Sequence, residues 1–214
     1  REFAIRDSVA PIQDRQGRTT GSVLVFKDAT QLRGMEREMI YLARHDPLTG
    51  LINRREFEKR LQHSLDTAAE DGREHALFYL DLDEFKVVND TCGHLVGDEM
   101  LKQVTALLRS RVRGSDVLAR LGGDEFGVLL EDCPLDQARG IAEEMRRTVR
   151  EFRFCWREQI FEVGVSIGLV PINDDCGDLA HVMSGADAAC YVAKDSGRNR
   201  VHEYETDDTL VAER

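Results

Sequence analysis

The sequence predicts an α/β (α+β) domain preceded by a hairpin and a helix, and three features carry that prediction. Ala76-Leu77-Phe78-Tyr79-Leu80 is an apolar run of strand length, suited to burial on both faces. Val117, Leu118 and Ala119 precede Gly122-Gly123-Asp124-Glu125, and Phe126, Val128, Leu129 and Leu130 follow it, which reads as a β-hairpin with an acidic turn. Around these strands lie segments of helical period at Arg54–Ala69, Asp98–Arg111, Leu135–Arg150 and Asp178–Lys194.

Size and charge bound the rest. A chain of 214 residues holds one ordinary domain and a small attachment. Hydrophobic content of 42% beside charged content of 32% is that of a soluble globular protein. No run approaches the roughly 18 apolar residues of a membrane span, and there is no signal peptide. A first residue of Arg suggests a piece of a longer chain, whose parent can still be membrane-anchored. The net charge of −11 argues against a nucleic-acid partner, since such binding needs Lys and Arg to neutralise phosphates. An anionic ligand would need some other attraction. Cys92, Cys133, Cys155, Cys176 and Cys190 are scattered, which suggests reduced thiols in a cytoplasmic setting and small core hydrophobes.

Residues 1–30 hold two strand-like runs, Phe3–Pro11 and Thr20–Phe26, around the turn-rich stretch Gln13–Arg18. Val25-Phe26-Lys27-Asp28-Ala29-Thr30 resembles the exit strand of a PAS-type sensor domain, which leads into a signalling helix; a stray hairpin is the competing reading. Over residues 31–45, Leu32, Met35, Met39 and Leu42 are spaced 3, 4, 3 like coiled-coil a and d positions. Such a helix either pairs with its own copy or lies on its own domain. Pro47 and Gly50 break it, and a new helix starts near Asn53, buries Phe57, Leu61 and Leu65, and ends at Asp71-Gly72.

The central strand is followed by Asp81, Asp83 and Glu84, and then by a loop of turn formers from Asn89 to Glu99 that opens a helix at Asp98 with Leu101, Val104 and Leu108 inward. Past the hairpin, Leu135–Arg150 carries an apolar face of Ala138, Ile141, Ala142, Met145 and Val149. Phe152–Val170 reads as two or three strands, and after the last helix Gly197–Arg200 turns into a closing strand near Val201–Glu203. The acidic tail 205–214 has no core pattern and reads as a linker.

Several of these residues can carry chemistry. Gly122-Gly123 permits positive φ and close approach of a ligand, so Asp124 and Glu125 form either a solvated tip or a ligand-binding turn. Asp81 ends a central strand, where a carboxylate either meets solvent or holds Mg²⁺, which takes one or two carboxylates and leaves its other positions to phosphate and water. Asn89 and Asp98 can read a guanine edge, although Asp98 can equally be a helix N-cap. Lys194 and Arg198, at and beyond a helix C-terminus, complement its dipole or bind phosphate.

Five ordered motifs resemble the GGDEF family of diguanylate cyclases over about Asp46–Tyr204. They are Asp46-Pro47-Leu48-Thr49-Gly50-Leu51-x-Asn53-Arg54, Asp81-Leu82-Asp83-x-Phe85-Lys86-x-x-Asn89-Asp90, Gly93-His94-x-x-Gly97-Asp98, Arg120-Leu121-Gly122-Gly123-Asp124-Glu125-Phe126 and Lys194-x-x-Gly197-Arg198-Asn199. The resemblance divides the chain into a PAS-like hairpin (1–30), a signalling helix (31–45), a GGDEF domain (46–204) and a linker (205–214). It implies a central, mostly antiparallel sheet flanked by helices, akin to nucleotide cyclases and polymerase palm domains.

The implied reaction joins two GTP into cyclic di-GMP with release of two pyrophosphates. Two Mg²⁺ ions, with Mn²⁺ as a substitute, would be held by Asp81, Asp124 and the Leu82 carbonyl, with Glu125 as a further acid and Gly122 and Gly123 shaping the catalytic turn. Asn89 and Asp98 would read guanine. Lys194, Arg198 and the backbone N–H groups of Phe85 and Lys86 would cradle the triphosphate. Arg113 and Asp116 stand where the family places its product-inhibition site. Two GTP need two domains face to face, so the resemblance implies a homodimer, through the N-terminal helix and across the active sites, with no membrane contact from this stretch. The rival reading is a silent domain that binds GTP or cyclic di-GMP and regulates an attached module, such as the EAL phosphodiesterase that the tail resembles a lead-in to.

Overall fold

The computed structural model describes residues 5–28 and 30–208, which divide into two compact units, one up to Arg44 and one from His45 onward. In the first, β1 (Ile5–Gln13) and β2 (Thr19–Asp28) form an antiparallel hairpin with Val9 opposite Leu24. The turn is set by Asp14, whose Oδ1 accepts from the Gln16 and Arg18 N–H groups. The first strand therefore runs on past Pro11, while Phe3 and Ala4 lie outside the described residues. Val9, Val25 and Phe26 are exposed. Helix α1 (Thr30–Leu42) exposes its stripe of Leu32, Met35, Met39 and Leu42. It ends three residues short of the expected His45, because Ala43 and Arg44 turn and His45 bridges to Ile52.

The second unit runs β3 (Ile52–Asn53), α2 (Arg54–Asp71), β4 (His75–Asp83), α3 (Phe85–Cys92), α4 (His94–Arg109), β5 (Val117–Gly122), β6 (Glu125–Leu130), α5 (Leu135–Glu151), β7 (Arg153–Trp156), β8 (Gln159–Glu162), β9 (Gly164–Ile172), α6 (Leu179–Asp195) and β10 (Val201–Glu203). Six strands make one sheet in the order β10-β9-β4-β6-β5-β3. The three inner pairings are antiparallel and the two edge pairings parallel, so the sheet is mostly antiparallel, as the family resemblance implies. β7 and β8 form a separate small hairpin. Among the described residues no helix is long and apolar enough to cross a membrane.

β4 organises the layers. Its nine residues are all buried, and alternate side chains point to opposite faces. Ala76, Phe78, Leu80 and Leu82 join the core that includes α3, α4 and α5 residues, whereas Leu77 and Tyr79 join the core with α2 and α6. The same alternation puts Asp81 and Asp83 on the α2/α6 face. Helix α6 comes unusually close to the sheet because β9 has Gly168, where a Cβ would overlap the Ala186 carbonyl oxygen and the Cys190 nitrogen. Helix α2 starts where Asn53 accepts from the Glu56 N–H (3.0 Å) and stops at Gly72 in the left-handed region (φ 64°).

The expected loop over Asn89–Glu99 is mostly helical, which corrects the sequence reading. Asn89, Asp90 and Thr91 complete α3, only Gly93 (φ 85°) breaks the chain, and α4 begins at His94. Asp98 therefore lies in the second turn of α4 and is not its N-cap. Turn-forming side chains were outweighed by the burial of Phe85, Val88, Val96, Met100 and Leu101 around the break.

His75, at the start of β4, uses both ring nitrogens. The Asp132 N–H donates to Nδ1 (3.1 Å), so Nε2 carries the proton and donates to Thr67 Oγ1 (3.1 Å), whose hydroxyl donates to the Ser64 carbonyl (3.0 Å). Burial pushes the imidazole below its ordinary 6.5; Asp132 and Glu131 pull it up, and Arg73 and His63 push it down. As pH falls, the unfolded chain therefore takes up this proton first. The contribution of neutral His75 is complete above pH 6.5 and is lost as pH falls through the lower folded value. Urea unfolding at about pH 7.5 and about pH 5.5 should show a larger acid loss of stability in the wild type than in His75→Gln. Equal losses would rule out His75 as the source.

Candidate active site

The site forms where the β5–β6 turn meets the C-terminal end of β4. Asp81 lies opposite Glu125 in the ladder, so both side chains leave the sheet on the α2/α6 face. The Leu82 N–H donates to the Asp124 carbonyl (3.3 Å). In a strand a residue's C=O points to the same side as its N–H, so the Leu82 carbonyl also faces the turn. Of the two glycines only Gly123 has positive φ (45°); Gly122 leaves open the space over which the Glu125 carboxylate lies.

Arg120 braces this turn. Its Nε and Nη2 donate to the Gly123 carbonyl (3.0 and 2.8 Å), and its Nη1 donates to both carboxylate oxygens of Asp46 (3.2 Å each). Asp46 Oδ1 also accepts from the amide and hydroxyl of Thr49 (2.8 and 2.7 Å). Burial raises the Asp46 pKa, but the Thr49 hydrogen bonds and the Arg120 charge outweigh it and hold the carboxyl below its usual range. No role for this pair followed from the sequence, although both residues stand in the motifs; 74 positions separate them.

Lys194 Nζ sits 2.6 Å from Asp81 Oδ2, a partner that neither sequence reading foresaw. Burial pushes Asp81 up to about 6 despite Lys194, with Asp124 and Glu125 adding to the rise. Three acids crowded round one lysine favour added positive charge. Among the described residues no three His, Cys, Asp or Glu side chains form a self-contained metal cage. Hard carboxylate and carbonyl oxygens that leave coordination positions to a ligand suit Mg²⁺, so these residues fit the ion that the sequence implies.

The remaining predicted residues fall into three places. Asn89 packs against Gly97, where any Cβ would overlap its Oδ1, so the α3–α4 break brings Asn89 against the residue that precedes Asp98. Phe85 is buried and Lys86 exposed, and their N–H groups open α3, where a helix has no internal acceptors for them. Arg198 is exposed on the turn after α6, with φ of 60°. Arg113 and Asp116 lie apart from all of these. The Asp116 carboxylate accepts from the Arg113 N–H (2.8 Å), beside a cavity of about 340 Å³ that Arg60, Arg109 and His45 also line.

Residues 43–200 match the family described as diguanylate cyclase, GGDEF domain. The chain belongs to the GGDEF family. Among its relatives, DgcE of Escherichia coli K12, named a probable diguanylate cyclase, is 46% identical over 203 residues, which are 95% of this chain and 18% of that protein. MucR of Pseudomonas aeruginosa, named a bifunctional diguanylate cyclase/cyclic di-GMP phosphodiesterase, is 40% identical over 171 residues, 80% of this chain and 25% of that protein. This chain thus spans a quarter or less of these two relatives. The crystal structure of the coiled coil and GGDEF domain of DgcB from Caulobacter crescentus, in complex with c-di-GMP, superposes with a TM-score of 0.75 at 31% identity, covering 81% of this chain and 92% of that one.

The GGDEF turn also borders a cleft of about 630 Å³ between α2 and α6, lined by Arg54, Glu58, Tyr79, Glu125, Ser184 and Asp187 among others. Burial and the neighbouring Glu125 carboxylate raise the Tyr79 pKa, so its hydroxyl stays protonated and serves as a hydrogen-bond donor to Glu125. The sequence carried one signal for Tyr79, its position two residues before Asp81 on the same strand face.

Proposed function

We propose that this GGDEF domain condenses two GTP into cyclic di-GMP, releasing two pyrophosphates. The observation that carries the reading is the convergence of Asp81, Asp124 and Glu125 at one sheet end, with Lys194 paired to Asp81. The 3′-oxygen of one GTP attacks the α-phosphorus of the other, the bond to the β-phosphate breaks, and pyrophosphate leaves. Bound Mg²⁺, or Mn²⁺ in its place, would lower the pKa of the attacking hydroxyl and neutralise the phosphates.

Asp81, Asp124, Glu125 and the Leu82 carbonyl would hold the metal ions. Asn89 would read the guanine edge while Asp98 accepts from its N–H groups. Lys194 would exchange Asp81 for a phosphate, and Arg198 and the first N–H groups of α3 would take the others. A second copy must present the second GTP, and the exposed stripe of α1 offers a pairing surface. The Arg113–Asp116 cavity suits a guanine phosphodiester, Arg113 gripping phosphate and Asp116 a base edge, which makes it the inhibitory product site.

The test is to incubate the chain with Mg·GTP, as isolated and with α1 fused to a dimeric coiled coil, and to separate the nucleotides by chromatography. Cyclic di-GMP should form, and added cyclic di-GMP should slow its formation in the wild type but at least about tenfold less effectively in Arg113→Ala. A forced dimer that binds GTP without making product would favour the regulatory reading. Unchanged inhibition in Arg113→Ala would remove the product site.

A further inference from the structure

We propose that Asp83 is a positioning residue for Arg198, and through it for the phosphates of a nucleoside triphosphate; the inference rests on the GTP reading above. Asp83 is 6% exposed, and its carboxylate is used on both sides. Oδ1 accepts from Ser166 Oγ (2.7 Å) on β9, and Oδ2 accepts from the backbone N–H of Asn199 (2.9 Å), 116 residues away and adjacent to Arg198.

The turn that Asp83 grips needs holding. After α6, Gly197 has φ of 110°, and Arg198 and Asn199 follow at 60° and 47°. Two successive residues with side chains in the left-handed region are strained, and such a turn persists only where its surroundings over-determine it. Here the Gly197 and Arg198 N–H groups donate to the Lys194 and Ala193 carbonyls, and the Ile167 N–H donates to the Arg200 carbonyl (2.9 Å). Arg146 Nη1 donates to the Asn199 carbonyl (3.4 Å). Of these partners only Asp83 is a carboxylate receiving a backbone N–H, a charge-assisted bond. The space around it is filled, since a Cβ on Gly164 would come within 2.7 Å of Asp83 Oδ2 and 3.1 Å of Asn199 Cβ.

What separates this from an ordinary brace is where its ends lie. Asp83 stands two residues beyond Asp81 on the same strand face, and Asp81 holds Lys194. β4 therefore sets both cations of the phosphate cradle from one rigid strand, Lys194 through its side chain and Arg198 through its backbone. Among the described residues the Arg198 guanidinium has no ion pair, so it is available to a ligand.

Binding can be measured without turnover by calorimetric titration of the full chain with Mg·3′-deoxy-GTP, which lacks the attacking hydroxyl. Asp83→Ala and Arg198→Ala should each raise Kd at least about tenfold. Asp83→Ala placed on Arg198→Ala should add less than about twofold, because the first substitution acts through the second residue. Asp83→Asn, which keeps an acceptor for the Asn199 N–H, should recover most of the loss, and amide exchange at 197–200 should quicken in Asp83→Ala alone. Equal effects of Asp83→Ala in both backgrounds, a lowered Tm with unchanged Kd, or a wild type that binds no nucleotide would overturn the inference. Coupled Kd values in a chain that makes no cyclic di-GMP would leave the clamp standing while the cyclase reading falls.

Discussion

Asp124→Asn should cut cyclic di-GMP formation by at least about a thousandfold while leaving the fold intact. The amide is nearly the same size as the carboxylate, and the contacts that shape the turn do not use the side chain: Arg120 binds the Gly123 carbonyl, and the Leu82 N–H binds the Asp124 carbonyl. What the substitution removes is one of three negative charges at the end of β4. Asp81 should then titrate closer to an ordinary carboxyl, since part of its rise comes from the Asp124 charge. Circular dichroism and thermal unfolding should match the wild type, and Mn²⁺ affinity, read by electron paramagnetic resonance, should fall with activity. A variant that keeps its turnover would place the decisive acid elsewhere.

Arg120→Ala should slow turnover about a hundredfold and, unlike Asp124→Asn, should also destabilise the fold. One guanidinium joins the GGDEF turn to Asp46, and the two side chains are only 14% and 18% exposed. Removing it leaves the Asp46 carboxylate short of a partner and frees the Gly123 carbonyl, at a cost of about 1–3 kcal/mol. The rate effect is larger because small displacements of Asp124 and Glu125 matter more to the reaction than to the core. Arg120→Lys should restore little, since a single ammonium cannot span both acceptors with the same geometry. Asp46→Asn should share part of the defect, and the double variant should be less than additive. An Arg120→Ala chain with normal kcat would show that the turn holds its shape unaided.

Where neighbouring residues decide the structure, the sequence was legible. Asn53 and Gly72 mark the two ends of α2, Asp178 caps α6 by accepting from the His181 N–H, and the apolar run before Asp81 is the buried centre of the sheet. Legibility failed at Asn89–Glu99, where polar turn formers sit inside two helices whose apolar residues found the core. It failed again for contacts across long stretches of chain. Nothing near Arg120 points to Asp46, and nothing near Lys194 points to Asp81. The motifs drew attention to these residues; their pairings are products of the folded sheet. Asp83 is the extreme case, because its partners lie 83 and 116 residues away.

The central place of β4 has a consequence for the order in which the chain can be made. Its neighbours in the sheet, β6 and β9, are synthesised well after it, and Asp83 finds its ladder partner only at Gly164. Until the ribosome has released residues up to about Ile172, an apolar strand buried on both faces in the finished protein has an open edge. A nascent chain halted between α4 and β9 would therefore expose a sticky strand along at least one edge, and chaperone binding during synthesis should concentrate on that interval.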